Sequence, residues 1–207
     1  VPVRALVEKI YSIKEVMDAS KVIATGEVES LDEKEKKLIL KVKTAIKGEC
    51  KFETGRVDVS AGQVWHPQAL LKNLKPGEPA LLFYDVDGNV CPGLCYSCGL
   101  WFQIYGNLKE QLWHFVHIEL LMNRTFNGAT SDLISIVTDA KDGKRAPPPP
   151  DGKLAPISRA ALLGAGGGGS VQPIPVSALD REDGYEASKA WKAEVWGFPA
   201  QTAVLDK

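Results

Sequence analysis

The residues with the richest chemistry are cysteines. Cys91, Cys95 and Cys98 stand in a C-x3-C-x2-C string, and Cys50 lies forty-one positions upstream of the first of them. Thiolates are soft ligands, so Cys50 with the three clustered cysteines, or two or three of them with His66, would supply the four ligands of a structural zinc. The same residues could form disulfides instead, most simply Cys50 to one member of the cluster and a second bridge within it. Such a bridge typically contributes about 2–4 kcal/mol. Reduced, inert thiols are the third reading. Four cysteines allow three pairings, and spacing does not choose among them.

A second group lies in the run WHFVHIE, with His114, His117 and Glu119. Residues 111–122 are apolar nearly all round, which predicts a buried helix. On a helix His114 and His117, at i and i+3, share a face, and Glu119 is near enough to assist a metal or a proton transfer. The competing reading is a pair of imidazoles hydrogen-bonded within a core, since Trp113, Phe115, Val116 and Ile118 surround them. The zincin pattern H-E-x-x-H does not occur, nor do G-x-S-x-G, a Walker loop or a dinucleotide fingerprint. No carboxylate pair stands out as a glycosidase couple. Asn123-Arg124-Thr125 spells a glycosylation sequon, read as coincidence at the end of an apolar segment.

Aromatic residues form the third group. Trp65, Trp101, Phe102, Tyr105 and Trp113, with Phe126, exceed what a small core needs, so they are expected to supply an interaction surface. The partner would be another protein or this chain's own downstream domains; a glycan stacked on Trp65 or Trp101 is the alternative.

Bulk properties exclude several classes. The formal net charge is −1 over 207 residues, which gives no electrostatic case for nucleic acid. The lysines of residues 34–37 are interleaved with Asp32, Glu33 and Glu35, the mark of a solvated face. No apolar run approaches the roughly 18 residues that a membrane-spanning helix needs. The chain opens VPVRALV without a leader, and cysteines suit an oxidising compartment, so an extracytoplasmic, mature protein is expected.

These groups must be positioned by the surrounding elements. Residues 21–48 read as two long antiparallel strands joined by a charged turn. Leu38, Leu40, Val42 and Ile46 share one face of the second strand, with Lys37, Lys41 and Lys43 on the other. Val22, Ala24, Gly26 and Val28 line the first strand, and Gly26 marks a bend or bulge. Before the hairpin, Leu6, Ile10, Ile13 and Met17 form a helical stripe with Pro2 at its start. After it come a short strand (56–60), a helical turn or two (61–74), an apolar strand covered on both faces (79–85), a tight cysteine loop (91–98) and a strand (100–105). Leu133, Ile136, Val137 and Ala140 are the buried stripe of a helix opening at Thr130 and stopped by Gly143.

Residues 1–143 are thus expected to be the compact unit. Residues 144–170, with APPPP and GAGGGGS, are expected to be a linker holding a short helix at 157–163. Residues 171–207, with the strand-like run AWKAEVW at 190–196, are expected to begin a second, all-β module or to serve as a docking tail.

The order KVIATGEVESLD, LILKVKTAIKGE, short strand and GEPALLFY resembles the netrin and tissue-inhibitor-of-metalloproteinase type of OB-fold barrel, over residues 21–105. In those inhibitors an amino-terminal cysteine reaches the zinc of the protease. This chain has Val1-Pro2 there, so that mechanism has no residue to carry it. The whole chain also resembles amino-terminal modules of uncharacterised exported bacterial proteins. The cysteine string equals the cluster motif of radical S-adenosylmethionine enzymes, but those use a parallel barrel of alternating strands and helices, and no such alternation is present. The expected fold is therefore mainly β, α+β: a small antiparallel, OB-like barrel with flanking helices. The expected function is a non-catalytic, exported module acting in protein–protein or cell-surface interaction, without a cofactor. The alternatives are a zinc or iron hydrolase or redox protein centred on Cys91–Cys98, and a carbohydrate-binding module.

Overall fold

A computed structural model describes residues 10–52, 54–60 and 65–163. The strands are β1 (Val22–Asp32), β2 (Lys37–Lys47), β3 (Thr54–Asp58), β4 (Pro79–Tyr84), β5 (Val90–Ser97), β6 (Leu100–Asn107) and β7 (Leu112–Ile118); the helices are α1 (Ile13–Ala19), α2 (His66–Asn73), α3 (Thr130–Lys141) and α4 (Arg159–Leu163). The strands close into one barrel in the order β1-β2-β3-β7-β6-β5-β4. Six of the seven pairings are antiparallel. The seventh, β3 with β7, is parallel, so the barrel is mixed rather than antiparallel throughout.

Alternation along the strands sorts side chains into two cores. On β4, Ala80, Leu82 and Tyr84 belong to the barrel interior, with Leu40, Phe102 and Trp113. Leu81 and Phe83 point to the opposite face, where they meet α1 through Ile13, Val16 and Met17 and α3 through Leu133 and Val137. That is why β4 reads apolar in both directions. α1 opens with a capping box: Glu15 N–H donates to Ser12 Oγ at 3.2 Å, and Ser12 N–H donates to Glu15 Oε2 at 2.8 Å. The upstream part of the expected helical stripe, Leu6 included, lies outside the described residues.

Gly26 is where the hairpin bends. The β1–β2 register shifts between Thr25 and Gly26, and a Cβ on Gly26 would lie 2.9 Å from the Lys41 carbonyl oxygen. The shifts also move Ile46 from the barrel side, where simple alternation would place it, to the helix-covered core.

Three expectations are corrected. Residues 111–122 are not a helix: Leu112–Ile118 is strand β7, followed by a 3-10 turn at Leu120–Arg124. Aromatic and β-branched residues prefer a pleated surface, and β6 supplies the partner that a single segment's periodicity cannot reveal. Cys91–Cys98 is not a loop: residues 90–97 are β5, and only Cys98 and Gly99 turn, with φ of 50° and 76°. Two consecutive residues at positive φ suit a tight hairpin between right-twisted strands.

The expected linker is the third correction, because its first part is docked. Asp151 N–H donates to the Arg124 carbonyl at 2.7 Å, Asn123 Nδ2 to Ala155 O at 2.6 Å, and Asn73 Nδ2 to Leu162 O at 2.9 Å. Leu162 of α4 is buried in the barrel core. Asn123 is thereby occupied and buried, so the sequon is not a modification site in this fold. The strand-like run at 190–196 lies outside the described residues.

Candidate functional site

The barrel distributes the chemistry-bearing residues among three places and, among the described residues, leaves Val42–Lys47 of β2 with a strand neighbour on one side only.

All four cysteines are free thiols, so the expected disulfides are not formed in this structure. Cys91 and Cys95 are buried on the barrel side of β5. Four residues apart on one strand, they are about 13 Å from each other and cannot bridge. Cys50 sits half-buried in the connector after β2, where Tyr84 Oη donates to its sulfur at 3.3 Å and its own S–H donates to Phe52 O at 3.2 Å. Burial raises the thiols of Cys95 and Cys98, Cys95 well above the ordinary range, with the other's charge adding to the Cys95 shift. These are poor thiolates at neutral pH.

The histidines separate. His114 is partly exposed, its Nδ1 3.9 Å from Asp58 Oδ2. His117 is 1% exposed and its Nε2 meets Glu119 Oε1 at 2.7 Å, Glu119 being 2% exposed. Along β7 the register pairs His114 with Tyr105 and His117 with Gln103 across a bulge at Val116. The bulge, rather than a helical turn, is what puts these two histidines on one side of the element.

His66 completes this cluster from α2. Pro67 follows it at the first turn, where a missing N–H costs nothing. β3 pairs with β7 only as far as His114, so the N–H of Ile118 has no ladder partner, and His66 Nδ1 accepts it at 2.9 Å. The His66 ring lies 4.0 Å from the Trp65 ring and 6.3 Å from that of His117. Arg159 stands 5.6 Å above Trp65. Burial first, then the charges of His117 and Arg159, push His66 down to about 3. Its imidazole is therefore neutral at physiological pH, and it works as a strand-edge acceptor. Among the described residues, no three His, Cys, Asp or Glu side chains come together as a metal site, so the zinc sets that the spacing allowed are not assembled.

The aromatics are core rather than surface. Trp101, Phe102 and Trp113 are at most 1% exposed and Trp65 is 4% exposed; Tyr105 is half-buried. Trp101 Nε1 donates to Phe126 O at 2.9 Å, while Phe52, Tyr84 and Trp113 stack inside the barrel with centroids 4.5 to 6.1 Å apart. Seven strands enclose a wider interior than a minimal barrel, and large rings fill it. Trp65, Trp101, Phe102 and Trp113 are thus core residues, and of the expected surface aromatics Tyr105 and Phe126 remain partly exposed.

The feature that sequence reasoning missed is on β2. Its pairing with β3 runs only from Lys37 to Lys41, while its pairing with β1 continues to Lys47. Among the described residues, Val42–Lys47 is the longest stretch with a strand partner on one side only; Ser30–Asp32 of β1 and Phe115–His117 of β7 are shorter ones. Lys43, Thr44 and Ala45 are exposed there, and Lys43 pairs with Glu27 on the neighbouring strand. The readable signal was a mismatch of length: a hairpin of eleven-residue strands beside a third strand of five.

A scan of protein families, of curated proteins and of solved structures found no match to this chain.

Proposed function

We propose that this chain is a non-catalytic, extracytoplasmic barrel module that binds another protein by accepting an extended segment along Val42–Lys47. The observation that carries the reading is the six-residue stretch of β2 with one unpaired edge. Strand addition uses the backbone donors and acceptors such an edge presents, and alternate side chains supply selectivity. Lys43, exposed on this edge although it already pairs with Glu27, favours a partner strand with an acidic residue, a cross-strand pair contributing about 0.2–1 kcal/mol. The near-complete burial of His117, Glu119 and His66 also supports a non-catalytic role, because a substrate cannot reach them without opening the fold. The order of hairpin, short strand and α2 before β4 is compatible with the OB-type resemblance.

The test is selection of seven- to nine-residue displayed peptides on the purified chain, with the site mapped by amide chemical shifts. Peptides that shift the amides of residues 42–47, and that lose binding in Thr44→Pro, support the proposal. Selected peptides that map elsewhere, or binding unchanged in a folded Thr44→Pro protein, overturn it.

A further inference from the structure

We propose that Cys50 and Cys91 are a disulfide-forming pair, an oxidation site that ties the connector after β2 to the start of β5. Cys50 is held at one end of the barrel. There Tyr84 Oη touches its sulfur, Lys51 N–H reaches the same hydroxyl at 3.4 Å, and Val22 pairs with Tyr84. The antiparallel register of β4 and β5 places Tyr84 opposite Gly93, Leu82 opposite Cys95 and Ala80 opposite Ser97. Cys91 therefore lies beyond Tyr84 at the Cys50 end, where Asp85 N–H donates to Pro92 O at 3.0 Å. Cys95 lies about 13 Å down the strand from it, and Cys98 is past the far end, more than about 20 Å along. Cys50 and Cys91 both pack into the barrel core.

The electrostatics divide the four thiols in the same way. Cys50 acts on Cys91, and Cys98 acts on Cys95. Burial, then Asp85 and then Cys50, pushes the Cys91 thiol up to about 11. Of this pair, Cys50, partly exposed and accepting from Tyr84, is the sulfur an oxidant can reach, Cys91 being buried. With oxidised glutathione, the Cys50 thiolate attacks one glutathione sulfur, the glutathione S–S bond breaks, and the first glutathione thiolate leaves and takes a proton. Cys91 then gives its proton to water as its sulfur attacks that of Cys50, expelling the second glutathione thiolate. Two protein thiols are oxidised to one disulfide, and one glutathione disulfide is reduced to two thiols.

The experiment treats the reduced, folded chain with oxidised glutathione, blocks remaining thiols with N-ethylmaleimide, and maps peptides by mass spectrometry. The expected result is a peptide joining Cys50 to Cys91, lighter by two hydrogens than its reduced parts, with Cys95 and Cys98 alkylated. Cys98→Ser should leave that crosslink unchanged, and Cys91→Ala should stop at a glutathione adduct on Cys50. A crosslink from Cys50 to Cys95 or Cys98 overturns the proposal. So does a wild-type chain in which Cys50 carries glutathione while Cys91 is alkylated. The wild-type map alone decides the matter if a variant fails to fold.

Discussion

His66 should make the stability of this protein depend on pH in a way that one substitution removes. In the folded chain the ring is buried, accepts the Ile118 N–H, faces His117 and Arg159, and holds its pKa down at about 3. In the unfolded chain it titrates at about 6.5. Between those values the unfolded state binds a proton that the folded state refuses, so the stabilisation is full above about pH 6.5 and is lost as pH falls. The slope approaches about 1.4 kcal/mol per pH unit, and from pH 7 to pH 5 the loss integrates to roughly 2 kcal/mol. His66→Asn keeps an acceptor near the position of Nδ1 and does not titrate. Urea unfolding of both at pH 7, 6 and 5 is the assay. The variant should start less stable, because ring volume is lost, but the gap should narrow by roughly 2 kcal/mol at pH 5. A gap that stays constant from pH 7 to pH 5 would refute the reasoning.

Three further substitutions probe the fold. Gly26→Ala puts a methyl 2.9 Å from the Lys41 carbonyl oxygen, a backbone atom that cannot rotate away; a loss of about 1–3 kcal/mol in the unfolding free energy is expected, and an unchanged denaturation midpoint would show that the bulge absorbs it. Trp113 Nε1 has no hydrogen-bond partner although it is buried, whereas Trp101 Nε1 donates to Phe126 O. Trp101→Phe should therefore cost about 1–3 kcal/mol more than Trp113→Phe, and equal losses by chemical denaturation would refute the difference.

The sequence by itself determined a good deal of this protein. Alternation in residues 22–28 and 37–43 revealed the long hairpin, Gly26 its bend, the two-sided apolar strand 79–84 a sheet covered on both faces, and the stripe Leu133, Val137 the flanking helix. Those are local patterns, and burial of one face dictates them wherever the partner lies. What was misread depended on partners. The run LWHFVHI is apolar in a way that suits a buried helix or a central strand, and only its pairing with β6 and β3 decides for strand. The same decision set the chemistry. On a helix His114 and His117 would have met a shared ligand; on a bulged strand His117 is buried against Glu119, while His114 stays at the surface with Asp58. The cysteines changed meaning likewise, because strand pairing at fixed spacing spreads Cys91, Cys95 and Cys98 along β5 instead of gathering them in a loop. Which strand edge stays open is the most tertiary property of all. It follows from β3 ending its contact with β2 at Lys41, from β7 having His66 to cap Ile118, and from nothing equivalent reaching residues 42–47 among those described. Sequence patterns report which side of a segment is buried; only the closed barrel decides which backbone groups remain without a neighbour.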